Sequence, residues 1–320
     1  MDPVTHTLVG VGLGNAFFRK SAGKGAVPIM AIASNLPDVD AVVHLTGSPT
    51  AILLRRTFGH SLFMLPLWSL VLAVILKRFY PKLGLGRLFG MSLLGAGVHV
   101  FFDLINSFGV VLLWPFSDWR PEFGIIFIID LILTGLLLLP VLICIPRTLR
   151  PRLTALSRVA LACVALYIGF CEVNRIRATD ALAAETGRLG LRSDFSYVFP
   201  EPLGPHRWRG VMREGHVYRL FLIHSISERI EPRDEIRTWT GDPDVEEARR
   251  TPLARRLEWF FKAPVWTVVT GPSQKPAEVT VRDLRFDSLV IRRGLPFVYR
   301  FKIEGPGRVE FVTGGAPGTP

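Results

Sequence analysis

The stretch SLLGAGVHVFFDLINSFG, residues 92 to 109, places His99 and Asp103 four positions apart in an otherwise apolar run. In a helix that spacing stacks the imidazole and the carboxylate on one face. Polar residues interrupt other apolar stretches in the same way: His6 near the start, Asn35, Asp38 and Asp40 in SNLPDVD, and Arg55, Arg56 and His60 in RRTFGHSLF. Imidazole nitrogen and carboxylate oxygen are the ligand types of zinc and related divalent ions. An ion with an open position brings the pKa of its water to about 7, which suits hydrolysis. A metal also explains the setting, since an ionisable side chain in a bilayer is costly unless paired, hydrated or metal-bound. The candidate ligands are therefore His6, Asp38, Asp40, His60, His99 and Asp103, with Asp38 or Asp40 helping to deprotonate water. Arg55 and Arg56 suit a phosphate or carboxylate of the substrate, or equally a lipid headgroup.

Taken singly, each residue has a plainer reading: an interfacial histidine, or in PDVD a common turn. Their convergence carries the metal reading, and it depends on the elements that position them. The chain has 320 residues, 49% of them hydrophobic, and a mean hydropathy of +0.34, which points to a membrane class. The net charge of +11 falls between apolar runs, a pattern for a membrane protein rather than a nucleic-acid binder. Cys144, Cys163 and Cys171 lie in or beside apolar segments without metal-site spacing and read as packing residues. The first twenty residues lack a secretory signal's basic start and cleavage site.

Four stretches suit membrane spans: about 61 to 79, 88 to 108, 124 to 145 and 155 to 172, preceded by a helical hairpin over 4 to 18 and 25 to 36. Lys and Arg gather at the hairpin tip (Arg19, Lys20, Lys24), between the first two spans (Lys77, Arg78, Lys82, Arg87) and between the last two (Arg147, Arg150, Arg152, Arg158). The other side carries only Arg55, Arg56 and Arg120, so the positive side is cytoplasmic and the candidate ligands share the outer one. His44, ending DAVVHL, and Asp130, in the third span, are further candidates that the sequence leaves open. From about residue 180, HVYRLFLI, AEVTVRDLRF, FVYRFKI and RVEFV alternate with period two between the turn signals EGH, GPSQKP and EGPG. This predicts antiparallel strands, with one helix starting near Pro252. His206, His216 and His224 lack ligand spacing. The expected architecture is a membrane all-α helical bundle over residues 1–175 and a β-rich extracytoplasmic domain over 180–320.

MDPVTHTLVG, ASNLPDVD, RRTFGHSL and VHVFFDLINSFGVVLLWPFSDWR, in that order, resemble the motifs of the YdjM-like family of membrane-bound, metal-dependent hydrolases. The likeness covers about residues 1 to 145, and HRWRGV at 206 to 211 resembles the tail of some longer members. It implies a multi-pass protein of the bacterial inner membrane. More distantly, the order His, Asp, His, His-x-x-x-Asp resembles zinc-dependent phospholipase C, met here by His6, Asp38 or Asp40, His60, His99 and Asp103. That likeness implies one or two zinc ions, with manganese or magnesium as alternatives, because the later His and His-x-x-x-Glu set of those enzymes is missing. The expected activity is hydrolysis of a lipid-linked or amphipathic phosphoester, with the bilayer as the protein's surroundings and no nucleic acid as partner. A transporter or ion-handling protein, and a scaffold with a structural metal site, stand as alternatives.

Overall fold

The structure is a computed structural model that describes residues 1–48, 51–269, 276–290 and 297–315. Its contacts divide the chain into two units, Met1–Val42 with Arg55–Val173, and Val43–Leu54 with Asn174–Pro320.

The first unit is helical. Helix α1, Pro3–Leu13, starts on Asp2, whose carboxylate accepts from Thr5 N–H, and leads through a π-helical turn and a short helical turn to α2, Ala26–Ala33. Gly10 and Gly14 of this segment lie against Met30 and Ala26, so α1 and α2 pack as the antiparallel hairpin that the sequence predicts. A 3-10 segment, Leu36–Thr46, follows. Next come α3, Leu65–Phe79, α4, Leu85–Leu104, α5, Leu131–Ile143, and α6, Leu153–Arg188.

The span reading is met in part. Two helical runs, Leu85–Leu104 and Arg147–Arg188, are long and apolar enough to cross a membrane, and a bent pair formed by Pro3–Ala33 and Leu36–Thr46 passes the same test. The hairpin packing of α1 on α2 argues against counting that pair as one straight crossing. With 15 residues α3 reaches about 22 Å at 1.5 Å per residue, short of the roughly 30 Å of hydrocarbon. The expected span over 124 to 145 begins late, because residues 124 to 130 are not helical: Ile125 and Ile126 N–H donate to Ile105 O, and Asp130 caps Leu133 N–H to start α5. Leu67, Leu70, Val71, Val74 and Ile75 stand exposed along α3, as lipid-facing residues do.

The second unit holds two four-stranded antiparallel sheets, ordered β1-β2-β3-β4 and β5-β6-β7-β8. The strands are β1 Phe195–Pro200, β2 Arg207–Glu214, β3 Val217–His224, β4 Arg229–Arg237, β5 Pro264–Val268, β6 Ala277–Asp283, β7 Val298–Gly305 and β8 Arg308–Gly315. The four predicted runs fall on β3, β6, β7 and β8, while the turn GPSQKP lies, apart from Pro276, outside the described residues. Before the predicted helix α8, Pro252–Phe260, runs a second one, α7, Pro243–Arg249; the chain breaks between them where Thr251 caps Ala254 N–H. The end of α6 belongs to this unit, where Ala178 and Leu182 pack with Trp208, Phe221 and Ile223 of the first sheet.

Candidate metal centre

The site grows from the end of α2. Its last turn leaves the Ser34 carbonyl without a helical partner, and the end of a helix favours cationic or proton-donating neighbours. Helix α4 supplies one. Gly95 lies against Ala33, where a Cβ would sit 2.6 Å from the Ala33 methyl. One turn further on, His99 Nδ1 meets Ser34 O at 2.7 Å. A carbonyl only accepts, so this nitrogen carries the proton and Nε2 is left with its lone pair.

A second histidine is fixed in the same way. His60 Nδ1 lies 2.9 Å from Asp40 Oδ2, which also accepts from Thr57 N–H at 3.1 Å. The RRTFGH loop is held close to the PDVD segment at Gly59, where any side chain would overlap the Pro37 carbonyl oxygen. With Nδ1 donating to a carboxylate, His60 turns Nε2 toward two acceptors, the His99 lone pair and Asp103 Oδ2, so that nitrogen holds either a proton shared with them or a metal ion. The two Nε2 atoms face each other at 3.1 Å, and Asp103 Oδ2 is 3.1 Å from that of His60. Two imidazole lone pairs at this separation repel unless a cation lies among them.

His6, on α1, completes the cluster. Its ring stacks on His99 with centroids 3.6 Å apart, and its Nε2 lies 3.2 Å from Asp103 Oδ1. The Met1 amino group also donates to Asp103 Oδ1. Two groups of ligand atoms, each within 4.8 Å of one another, result: His6 with His99 and Asp103, and Asp38 with His60 and His99. His6, His60, His99 and Asp103 are all buried.

The remaining candidates fall in different places. Asp40 is fully buried and turns one oxygen to His60 and Thr57; its Oδ1 faces Arg55 Nε at 3.4 Å and accepts no hydrogen bond among the described residues. Asp38 stays at the rim, paired through Oδ1 with Arg55 Nη2 at 2.6 Å. Arg56, expected beside the substrate with Arg55, is instead buried: Nε meets Asp103 Oδ2 at 2.7 Å, Nη1 donates to Asn106 Oδ1, and the guanidinium covers the Phe108 ring. Arg56 is thus closed off from the rim, whereas Arg55, although paired with Asp38, keeps part of its side chain exposed there. Asp130 belongs to neither ligand group, since it caps α5 and accepts from Tyr167 OH at 2.8 Å. His44 is exposed and also belongs to neither.

Ser34 and Asn106 are parts of the site that sequence reasoning missed. The Ser34 contribution is a backbone oxygen, which has no signature in residue type. Asn106 follows Asp103 by three positions at the helix end, and that spacing was a usable signal.

A helical hairpin, the 3-10 segment after it, the RRTFGH loop and an apolar helix together bring three histidines and two carboxylates close to one another, which defines a membrane protein with a candidate metal centre. Residues 1–178 match the family model described as YdjM inner membrane protein, and the chain belongs to that family. It is also similar to a protein of Bacillus subtilis (strain 168) described as uncharacterized protein YfhP, with 33% identity over 134 residues, covering 39% of this chain and 41% of that protein. The chain thus matches about two-fifths of the length of that relative. No solved structure matches the chain.

Proposed function

We propose that this protein is a metal-dependent hydrolase of the bacterial inner membrane that cleaves a lipid-linked or amphipathic phosphoester on the extracytoplasmic side. One observation carries the reading: His60 and His99 present Nε2 to each other at 3.1 Å while both Nδ1 atoms are committed elsewhere. A proton would satisfy one such pair. Beside that pair, His6, Asp38 and Asp103 place further nitrogen and oxygen atoms close enough to share an ion, and the set fits one or two divalent ions, zinc first by ligand type, with manganese or magnesium as alternatives.

A bound ion supplies Lewis acidity and makes water acidic enough to act as a nucleophile near neutral pH. The chain's own residues do the rest. Asp40 and the Ser34 carbonyl hold the two imidazoles in the tautomer that leaves Nε2 free, the outer support that metal-ligating histidines need. Arg56 holds Asp103 in place and balances its charge. Asp38, at the rim, is the carboxylate within reach of an entering water's proton, and Arg55 beside it is placed to meet a phosphoryl oxygen. The bias of Lys and Arg between segments supports the outward orientation of the site and of the C-terminal unit.

Metal analysis of the purified protein tests the reading. One or two equivalents of divalent metal are expected, with loss in the His99→Ala, Asp103→Ala double variant while its helical circular dichroism persists. Metal retained by that variant would refute the assignment. A screen of phosphomonoesters, phosphodiesters and phospholipids then identifies the ester class.

A further inference from the structure

The eleven Lys and Arg of the hairpin tip, of the connection from α3 to α4 and of the stretch between α5 and α6 lie in parts of the chain without acids: no Asp or Glu occurs in residues 3–37, 41–102 or 131–171. The chain holds 38 Lys and Arg against 27 Asp and Glu, so with these eleven set aside the remainder is formally neutral. The whole net charge of +11 resides in them.

The fold gathers them at one end of the helical unit. Arg87 Nη1 donates to Ser21 O at 2.9 Å, Arg158 Nε donates to Ala16 O at 2.9 Å, and Gly25 lies against the Tyr80 ring, which ties both connections to the hairpin tip. The metal centre is at the other end, since it takes His99 and Asp103 from the last turns of α4 whereas Arg87 stands in the first. All eleven are exposed except Lys77, which is half-buried and donates to Pro81 O and Leu83 O. Among the described residues none of them meets a carboxylate; the partners they do have are backbone carbonyls. The helices do not offset this charge either, because no acid stands in the first turn of α4 or of α6. Such a surface repels itself until anions reach it from outside.

The side chains between the cations say which anions. Phe17, Phe79, Leu85 and Ile145 each lie one or two residues from a Lys or Arg, and all four are exposed. A nucleic acid brings phosphates but no apolar phase for Leu85 and Ile145, whereas a phospholipid surface supplies both side by side. Three of the cations, Arg147, Arg150 and Arg152, share one six-residue stretch, and their guanidinium forks suit phosphate oxygens.

We infer that this end of the helical unit binds the headgroups of anionic phospholipids and retains them in preference to zwitterionic ones. The inference does not depend on the hydrolase reading, since no residue of the metal centre takes part. It also goes beyond orientation, which needs only the sign of these charges and no lasting contact with a headgroup.

The test titrates full-length protein, purified in mild detergent, with phosphatidylglycerol or phosphatidylcholine of identical acyl chains and counts bound lipids by native mass spectrometry. At about 0.1 M ammonium acetate the protein is expected to bind phosphatidylglycerol at least about fivefold more tightly, a preference that vanishes at about 1 M, where charges are screened. Arg147→Gln, Arg150→Gln and Arg152→Gln together should lower the preference about threefold or more. Eight cations remain on that side in this variant, so its orientation bias stands. Arg188→Gln, Arg229→Gln and Arg250→Gln remove as much charge from positions paired with Glu185, Glu231 and Glu247, and should leave the preference unchanged. Equal binding of the two lipids by the unaltered protein overturns the inference without recourse to any variant. So does a loss in the second variant equal to that in the first, which would assign the effect to net charge alone. Displacement of phosphatidylglycerol by a random-sequence DNA duplex at equal phosphate concentration would assign the surface to nucleic acid instead.

Discussion

Asp38 and Asp40 are two positions apart in one turn, and the fold gives them opposite surroundings. Asp40 is sealed beneath the RRTFGH loop and orients His60, while Asp38 remains at the rim with Arg55. The sequence marks both carboxylates as candidates but not their division of labour, because a 3-10 turn has no long-range periodicity from which to tell which side chain points inward. Arg55 and Arg56 divide similarly: Arg56 has a left-handed backbone, φ 58°, that turns its side chain under Asp103. The work of Asp40 is testable. In Asp40→Asn the charge that fixes the His60 tautomer is gone, and zinc affinity should fall by about 10- to 100-fold, as for other outer partners of metal-ligating histidines. Zinc titration against a competing chelator measures this. Unchanged affinity would show that His60 needs no support from Asp40.

At the level of elements, the His99 to Asp103 spacing was legible because both residues lie on one regular helix, where four positions fix a shared face. The approach of α4 to α2 was less so. It depends on Gly95, whose missing side chain lets the α4 backbone close on Ala33 and Ser34 and so brings His99 to its acceptor. Small residues in apolar helices permit such contacts, but a lone glycine does not say against which helix. Hydropathy also misjudged where α5 begins, because Ile125, Ile126, Ile128 and Ile129 are apolar yet precede the capping Asp130. Gly95→Val should push α4 from α2 and separate His99 from Ser34. The variant is expected to lose most of its bound zinc although no ligand has been replaced, which metal analysis checks, while Gly97→Val, at an open position on the same helix, should keep it.

For the molecule as a whole, the sequence changes texture from apolar runs to alternating strands at about residue 180, and the contacts divide the chain after Val173. Two features were not. The segment Val43–Leu54 belongs with the second unit although its neighbours in sequence belong to the first, and α6 is one unbroken helix serving both. Nor did alternation reveal β4, RIEPRDEIR, which carries charges on both faces because it is an edge strand. The end of α6 sits on the first sheet through Leu182, which is buried and fits against Gly210 of β2, where a Cβ would be 2.9 Å from the leucine side chain. Leu182→Ala leaves a cavity there and should cost about 2–5 kcal/mol, read as faster hydrogen exchange of the β1 to β4 amides in the full-length protein. All candidate ligands lie outside that contact, so zinc content should stay at the wild-type level. A parallel loss of zinc would mean that the metal centre depends on the β-rich unit, and would turn the search for activity toward the whole chain rather than its first 173 residues.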